Sequence, residues 1–175
     1  MFSDPAKNIK SFELEKGMKV ADVGAGSGFY AIEAAKAVGG LGRVYAIDVQ
    51  KDLLDRLRNN ARKTHALNIE IVWGDIEKPG GTKLANSSVD AAILSNTLFQ
   101  IADKKTISNE IRRILKPKGK FLLIDWMDSF GGMGPASDQV VRKEDARKLF
   151  EGAGFVVERE IPAGVHHFGM IFRAV

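Results

Sequence analysis

The chain contains no cysteine. That excludes disulfides, thiolate nucleophiles and cysteine-ligated zinc. Histidine is scarce, with only His65, His166 and His167. Their spacing matches no metal-ligating pattern, so no metal is expected. No apolar run approaches the length of a membrane span, and none is expected. The opening stretch MFSDPAKNIKSFELEKG lacks the charged-then-apolar plan of an export signal, so the expected location is cytoplasmic. Charge blocks of one sign are missing too. The formal net charge is +4, and pairs such as Lys104-Lys105 and Arg112-Arg113 alternate with apolar residues at helical spacing. They read as solvated helix faces rather than a nucleic-acid footprint.

What is present is one domain's worth of chain, 175 residues with 45% hydrophobic. The whole span 1–175 reads as a single domain. Residues 1–17 form a short N-terminal helical segment, with Asp4 as N-cap and Pro5 at the first helical position. From Met18 onward, apolar runs alternate with helical patterns. MKVADV, GRVYAIDV, IEIVWGD, SVDAAILS and KFLLIDW read as strands. Ala31, Ala34, Ala35 and Val38 mark one helix, and Leu53, Leu54, Leu57 and Ala61 the next. Ile107, Ile111, Ile114 and Leu115 mark a third, ended by Pro117 and Gly119. A last helix carries Ala146, Leu149, Phe150 and Ala153. FVVEREI and HHFGMIFRAV then form two strands joined by the short PAGV, which pair antiparallel. Five βα repeats with Val/Ile/Leu/Ala-rich strands indicate an α/β fold. Its sheet is doubly wound, seven-stranded and mostly parallel, with an antiparallel C-terminal strand.

In such a sheet, ligands sit beyond the carboxyl ends of the strands. The first strand ends in VADVGAGSG, which places Gly24, Gly26 and Gly28 there. Glycines let the backbone approach a ligand and turn sharply into a helix. The dinucleotide fingerprint is G-x-G-x-x-G, whereas this turn is G-x-G-x-G with Asp22 before it. A carboxylate at that place suits a cationic ligand better than a pyrophosphate. Asp48, at the tip of the second strand, is positioned to accept hydrogen bonds from ribose hydroxyls, or to cap the helix that begins near Gln50. Asp75, at the tip of the third, is an acceptor that fits an amino group, or a turn-forming residue.

The glycine turn and three acidic tips together resemble the class I S-adenosylmethionine-dependent methyltransferases, of the ubiquinone/menaquinone-biosynthesis type. VADVGAGSG, AID, GDIE, VDAAILSNTLFQI and RILKPKGKFLLID match successive stretches of that family. The resemblance implies a Rossmann-like methyltransferase with S-adenosyl-L-methionine as cofactor. It implies that Gly24, Ala25, Gly26 and Gly28 approach the methionine portion and ribose, and that Asp22 helps to hold the ammonium. Asp48 would bind the ribose, Val49 and Ile76 would pack on the adenine, Asp75 would take its amino group, and Ser95 would offer a backbone carbonyl.

Sulfonium methyl transfer relies on position and a dry pocket more than on an acid or base. Acceptor-side candidates are therefore sought at the strand tips: Asn96, Phe99 and Gln100, then Asp125 and Trp126, then His166 and His167. Asn96, Asp125 and His166 are the candidate catalytic residues. The expected acceptor is a small molecule, with a protein or RNA acceptor at an open site as the alternative. A non-catalytic cofactor-binding module is a third reading, and a nicotinamide-dependent oxidoreductase is disfavoured by the glycine spacing. Three things could cover the site: the N-terminal helix around Asn8 and Phe12, the Gly/Pro/Ser-rich segment from Met127 to Val141, or a second subunit; the segment is the expected cover, with Gly131 and Gly132 as its hinge.

Overall fold

The computed structural model describes residues 3–175. Helix α1 (Pro5–Phe12) starts at Pro5 with Asp4 as its cap, whose carboxylate accepts the Lys7 N–H at 3.2 Å. Then come β1 (Lys19–Val23), α2 (Phe29–Val38), β2 (Arg43–Asp48), α3 (Lys51–Lys63), β3 (Ile69–Trp73) and β4 (Val89–Ser95). A 3₁₀ turn at Leu98–Gln100 leads to α4 (Lys104–Ile114), β5 (Leu115–Trp126), α5 (Lys143–Gly152), β6 (Phe155–Pro162) and β7 (His167–Ala174). The seven strands lie in the order β3-β2-β1-β4-β5-β7-β6, and β7 alone runs antiparallel to its neighbours.

Strand alternation divides the core in two. Val20, Ala46, Ile93, Leu122 and Ile124 face α1, α2 and α3, which bury Phe12, Ala31, Ala34, Val38 and Leu57 against them. Ala21, Leu94, Phe121, Leu123 and Phe172 face α4 and α5, which contribute Ile107, Ile111, Ala146 and Phe150. Each helix shows its apolar stripe to one layer, so both faces of the sheet are covered at its centre.

Two expectations are corrected. Four βα units are present rather than five, because residues 74–88 between β3 and β4 form turns without a helix. Their sequence, GDIEKPGGTKLANSS, has no period-3.6 apolar stripe. The third helix also stops at Ile114, before Pro117. Proline disfavours helical backbone at Lys116, and the chain enters β5 at once, with a register shift opposite Val89–Ala91 and Lys118 at a φ of 62°.

The helix-free segment is held by Glu110 of α4. Its buried carboxylate accepts the Gly80 N–H at 3.0 Å, the Thr82 N–H at 3.2 Å and the Thr82 hydroxyl at 2.6 Å, and pairs with Arg113 at 2.7 Å. Burial alone would raise its pKa; Arg113 and the Thr82 and Gly80 donors outweigh burial and bring it down to about 2. A depressed carboxylate stabilises the fold above its unfolded value and loses that contribution as pH falls through its folded value. Stability should therefore drop between about pH 4.5 and 2, with Glu110 contributing on the order of 3 kcal/mol of the change. Denaturant titrations across that window should show the drop, and Glu110→Gln should flatten it and lower stability at neutral pH.

Candidate active site

The carboxyl ends of β1, β2 and β4 open onto a cleft of about 610 Å³ lined by Gly24–Ser27, Tyr30, Asp48, Leu53, Ser95, Asn96 and Thr97. A narrower recess of about 170 Å³ continues from it between Val49, Asp75, Ile76 and Ile101. Gly24, Asp48, Gln50, Thr97 and Gln100 line both. Of the residues singled out from the sequence, this brings together Gly24, Ala25, Gly26, Asp48, Val49, Asp75, Ile76, Ser95, Asn96 and Gln100.

The glycines of the turn differ in role. Gly28 has a φ of 90°, and a Cβ there would lie 2.4 Å from Leu57 of α3, so it allows two helices to meet. Gly26 has a φ of 54° and nothing within 4 Å of where its Cβ would be. Its open side is the place where a ligand can reach the backbone. Asp48 fixes this turn. One carboxylate oxygen accepts the Gly26 N–H at 2.9 Å and the other accepts the Gln50 N–H at 2.9 Å. The capping and ligand-facing readings of Asp48 are thus compatible, since each oxygen keeps a further lone pair.

Asp22 lies on the α2 side of β1 and is fully buried, so it does not line the cleft surface. Neither of its oxygens has a hydrogen-bond partner; the Ala31 amide faces it without making a hydrogen bond. Burial raises its pKa to about 7, the Ala31 amide opposing and the Asp48 charge adding to the rise. A buried anion without partners is costly, so this carboxyl is neutral below about pH 7 unless a cation arrives. Asp75 behaves oppositely. It is solvated, and the Lys78 ammonium at 3.1 Å and the Glu77 N–H hold its pKa below the usual value.

The acceptor-side candidates separate. Asn96 lines the cleft in left-handed backbone at a φ of 52°, with its Oδ1 buried and without a partner. Asp125 does not line it. Its carboxylate is buried on the α4 side, where it accepts the Trp126 N–H at 2.8 Å and the Phe99 N–H at 3.3 Å. Burial raises its pKa to about 6 against those donors, the Leu98 amide and the Lys104 charge. Its visible work is to tie the 3₁₀ turn to the tip of β5. His166 also lies off the cleft lining, bonded to Asp128 at 2.9 Å and stacked on Phe130 at 4.0 Å. His167 is buried against Trp126, and burial lowers its pKa.

The 127–141 segment lies apart from the cleft. No residue of it lines the cleft. Gly131 and Gly132, both at positive φ, form a tight turn closed by the Met133 N–H on the Phe130 carbonyl at 2.8 Å, the signature of a type I′ hairpin turn. Gly134 packs flat on the Trp126 indole. The glycines form a hydrogen-bonded tip. The start of α1 takes the covering position, with Ser3 and Pro5 on the cleft wall. Tyr30 holds it there: its hydroxyl is 2.8 Å from Ser3 Oγ and accepts Asn8 Nδ2 at 2.8 Å. Sequence reading missed Ser3, Tyr30, Leu53 and Thr97. Tyr30 and Leu53 resemble ordinary core positions of their helices, and only three-dimensional proximity reveals the others.

Comparison with known proteins agrees with this geometry. A family model described as "Methyltransferase domain" matches residues 14–154. An arsenite methyltransferase of Halobacterium salinarum is 32% identical over 120 residues, covering 67% of this chain and 30% of that protein. A demethylmenaquinone methyltransferase of Staphylococcus aureus is 31% identical over 119 residues, covering 67% and 46%. The chain spans about half or less of the length of the first curated relatives it matches. A solved "SAM dependent methyltransferase" from Aquifex aeolicus superposes with a TM-score of 0.89 at 31% identity, covering 99% of this chain and 91% of that one. Among the described residues no group of side chains could hold a metal, and no helix is long and apolar enough to cross a membrane.

If Asp48 fixes the glycine turn, Asp48→Ala should speed amide exchange at Gly26 and Gln50. It should also lower stability by roughly 1–3 kcal/mol, since two backbone donors lose a charged acceptor. Hydrogen exchange with a denaturation curve checks both, and unchanged exchange would show that the two bonds restrain nothing.

Proposed function

The chain belongs to the methyltransferase-domain family, and from that premise we propose that it binds S-adenosylmethionine in the cleft at Gly24–Gly28 and methylates a small-molecule acceptor. The observation that carries this reading is the open backbone at Gly26 on the cleft wall, together with the buried, unpartnered carboxyl of Asp22 in the strand that leads into the same turn. A cationic ligand with polar hydroxyls fits that combination, and a pyrophosphate does not.

When bound, the cofactor supplies an activated methyl group; the protein binds, orients and keeps water out. In this reading Asp48 takes the ribose hydroxyls on its remaining lone pairs. Val49 and Ile76 flank the adenine, and Asp75 accepts from its amino group. The Ser95 carbonyl, which already accepts the Thr97 hydroxyl at 2.9 Å, would accept from the methionine ammonium, and the buried Asp22 would add its charge from within the core. Asn96, on the cleft wall with its Oδ1 buried, is the acceptor-side residue and would help to position the substrate. Asp125 acts as a positioning residue through the 98–100 turn, and His166, held by Asp128, stands at the neighbouring strand tip off the cleft lining. A small-molecule acceptor is supported by the arsenite and demethylmenaquinone methyltransferases among the relatives.

The direct test is methyl transfer from isotopically labelled cofactor to a cell extract separated into metabolite, protein and RNA fractions. Label in the metabolite fraction is expected; label in protein or RNA would overturn the acceptor class. A second test uses pH. Asp22 becomes anionic only as pH rises through about 7, so affinity for the cationic cofactor should rise on crossing that value, by at most about tenfold per pH unit. Asp22→Asn should abolish this rise. Calorimetry that shows the same pH slope in both proteins would remove Asp22 from cofactor binding.

A further inference from the structure

The two edges of the sheet are built differently. Strand β6 carries the features that keep an edge from pairing: a register shift between Val157 and Arg159, three successive charges at Glu158, Arg159 and Glu160, and a terminal Pro162. Strand β3 has none of them. Its sequence is Ile-Glu-Ile-Val-Trp, with one charge, no proline, no lysine and an unbroken register to β2. That charge, Glu70, is engaged by Arg43 at 3.6 Å.

Register shows which backbone groups are open. The Val44 N–H bonds the Asn68 carbonyl at 3.0 Å, and the Gly74 N–H bonds the Asp48 carbonyl at 3.1 Å. In a parallel ladder alternate residues turn both groups to the same neighbour. Residues 70 and 72 therefore spend theirs on β2, and Ile69, Ile71 and Trp73 turn N–H and C=O outward. This open row is bracketed by Leu67 and Trp73, which are 82% and 58% exposed. The Trp73 ring is already oriented: its Nε1 donates to the Val49 carbonyl at 2.9 Å, and the Lys51 ammonium lies 4.7 Å from the ring centroid. Recesses of about 380 Å³ and 270 Å³ run along it, one beside Pro79 and Lys83, the other beside Leu54 and Arg58.

We propose that the β3 edge is a docking strand for an extended acidic segment of a partner protein, added as an eighth strand with side chains in the recesses beside Trp73. Charge selects this occupant. Helix α3, packed over β3, carries Lys51, Arg56, Arg58, Arg62 and Lys63 against Asp52 and Asp55, the latter paired with Arg58, and Lys83 borders the other recess beside the Lys78–Asp75 pair. A second copy of this chain would bring the same cations face to face. Because β3 runs directly into Gly74, Asp75 and Ile76, docking would also restrain the wall of the narrower recess.

The test needs no cofactor and so stands apart from the proposed activity. A blocked peptide of about ten alternating Glu and Val residues serves as probe, with a Lys/Val peptide as its counterpart. The acidic peptide should slow amide exchange at Ile69, Ile71 and Trp73 and bind at least about tenfold more tightly than the basic one. Ile71→Pro should weaken it at least about tenfold while leaving cooperative unfolding intact, because that N–H serves no bond within the sheet. Should the proline variant fail to fold, Trp73→Ala, which leaves the backbone untouched, should weaken the peptide comparably. Equal affinity for the two peptides, protection elsewhere in the chain, or indifference to these variants would overturn the proposal. So would a dimer in sedimentation that Ile71→Pro dissolves, since the edge would then belong to a second copy.

Discussion

The carboxylate of Asp48 closes the distance between two strands' worth of ligand-facing backbone. It receives one N–H from the glycine turn after β1 and one from the entry to α3 after β2. Without it, a turn with three glycines at positive φ would have wide conformational freedom. With it, Gly26 stands open toward the cleft in one defined shape. The neighbouring close approach of Gly28 to Leu57 sets α2 against α3, so the turn is clamped from the ligand side and from the core side. Asp22, in the strand that leads into this turn, is buried without partners.

Fold class and the positions of the strands were legible in the sequence because they rest on local patterns; the strand order was not. Strand alternation, helical stripes and glycine spacing each act within a few residues of themselves. The helix after β3 was not legible as missing, since repetition of βα units suggested one, while the segment's real anchor, Glu110, lies some thirty residues downstream in α4. The acceptor side was legible only as a set of strand tips. Asp125 lies inside β5 and turns to α4 with Leu123, whereas Asn96 stands just past β4 and turns to the cleft; a sequence does not say which way a residue past the end of a strand will turn. Tyr30 and Ser3 meet across 27 residues, a contact that depends on where α1 packs.

The two coverings considered for the site differ in physical character. The 127–141 segment is pinned through Trp126 and His166, both on the β5–β7 tip. The start of α1 is held through a closed triangle of Tyr30, Ser3 and Asn8, the Asn8 amide donating to both hydroxyls. Tyr30 is the second residue of the helix that begins at the glycine turn. The wall of the cleft and its floor thus share one helix, and a displacement of that helix's first turn would be felt by both.

The hairpin tip at Gly131-Gly132 bears on how such a domain could diversify. Its two flanking residues, Phe130 and Met133, are brought together by their own backbone bond, and Phe130 is moored on His166. Chain spliced between the two glycines would leave both ends where they are, and each doubling of a loop's length costs only about 0.6 kcal/mol in closure entropy. A segment grafted there would rise from the tip of β5, beside the cleft and outside the packed layers. New substrate preferences could in this way be acquired by lengthening one turn, with the cofactor-side frame untouched.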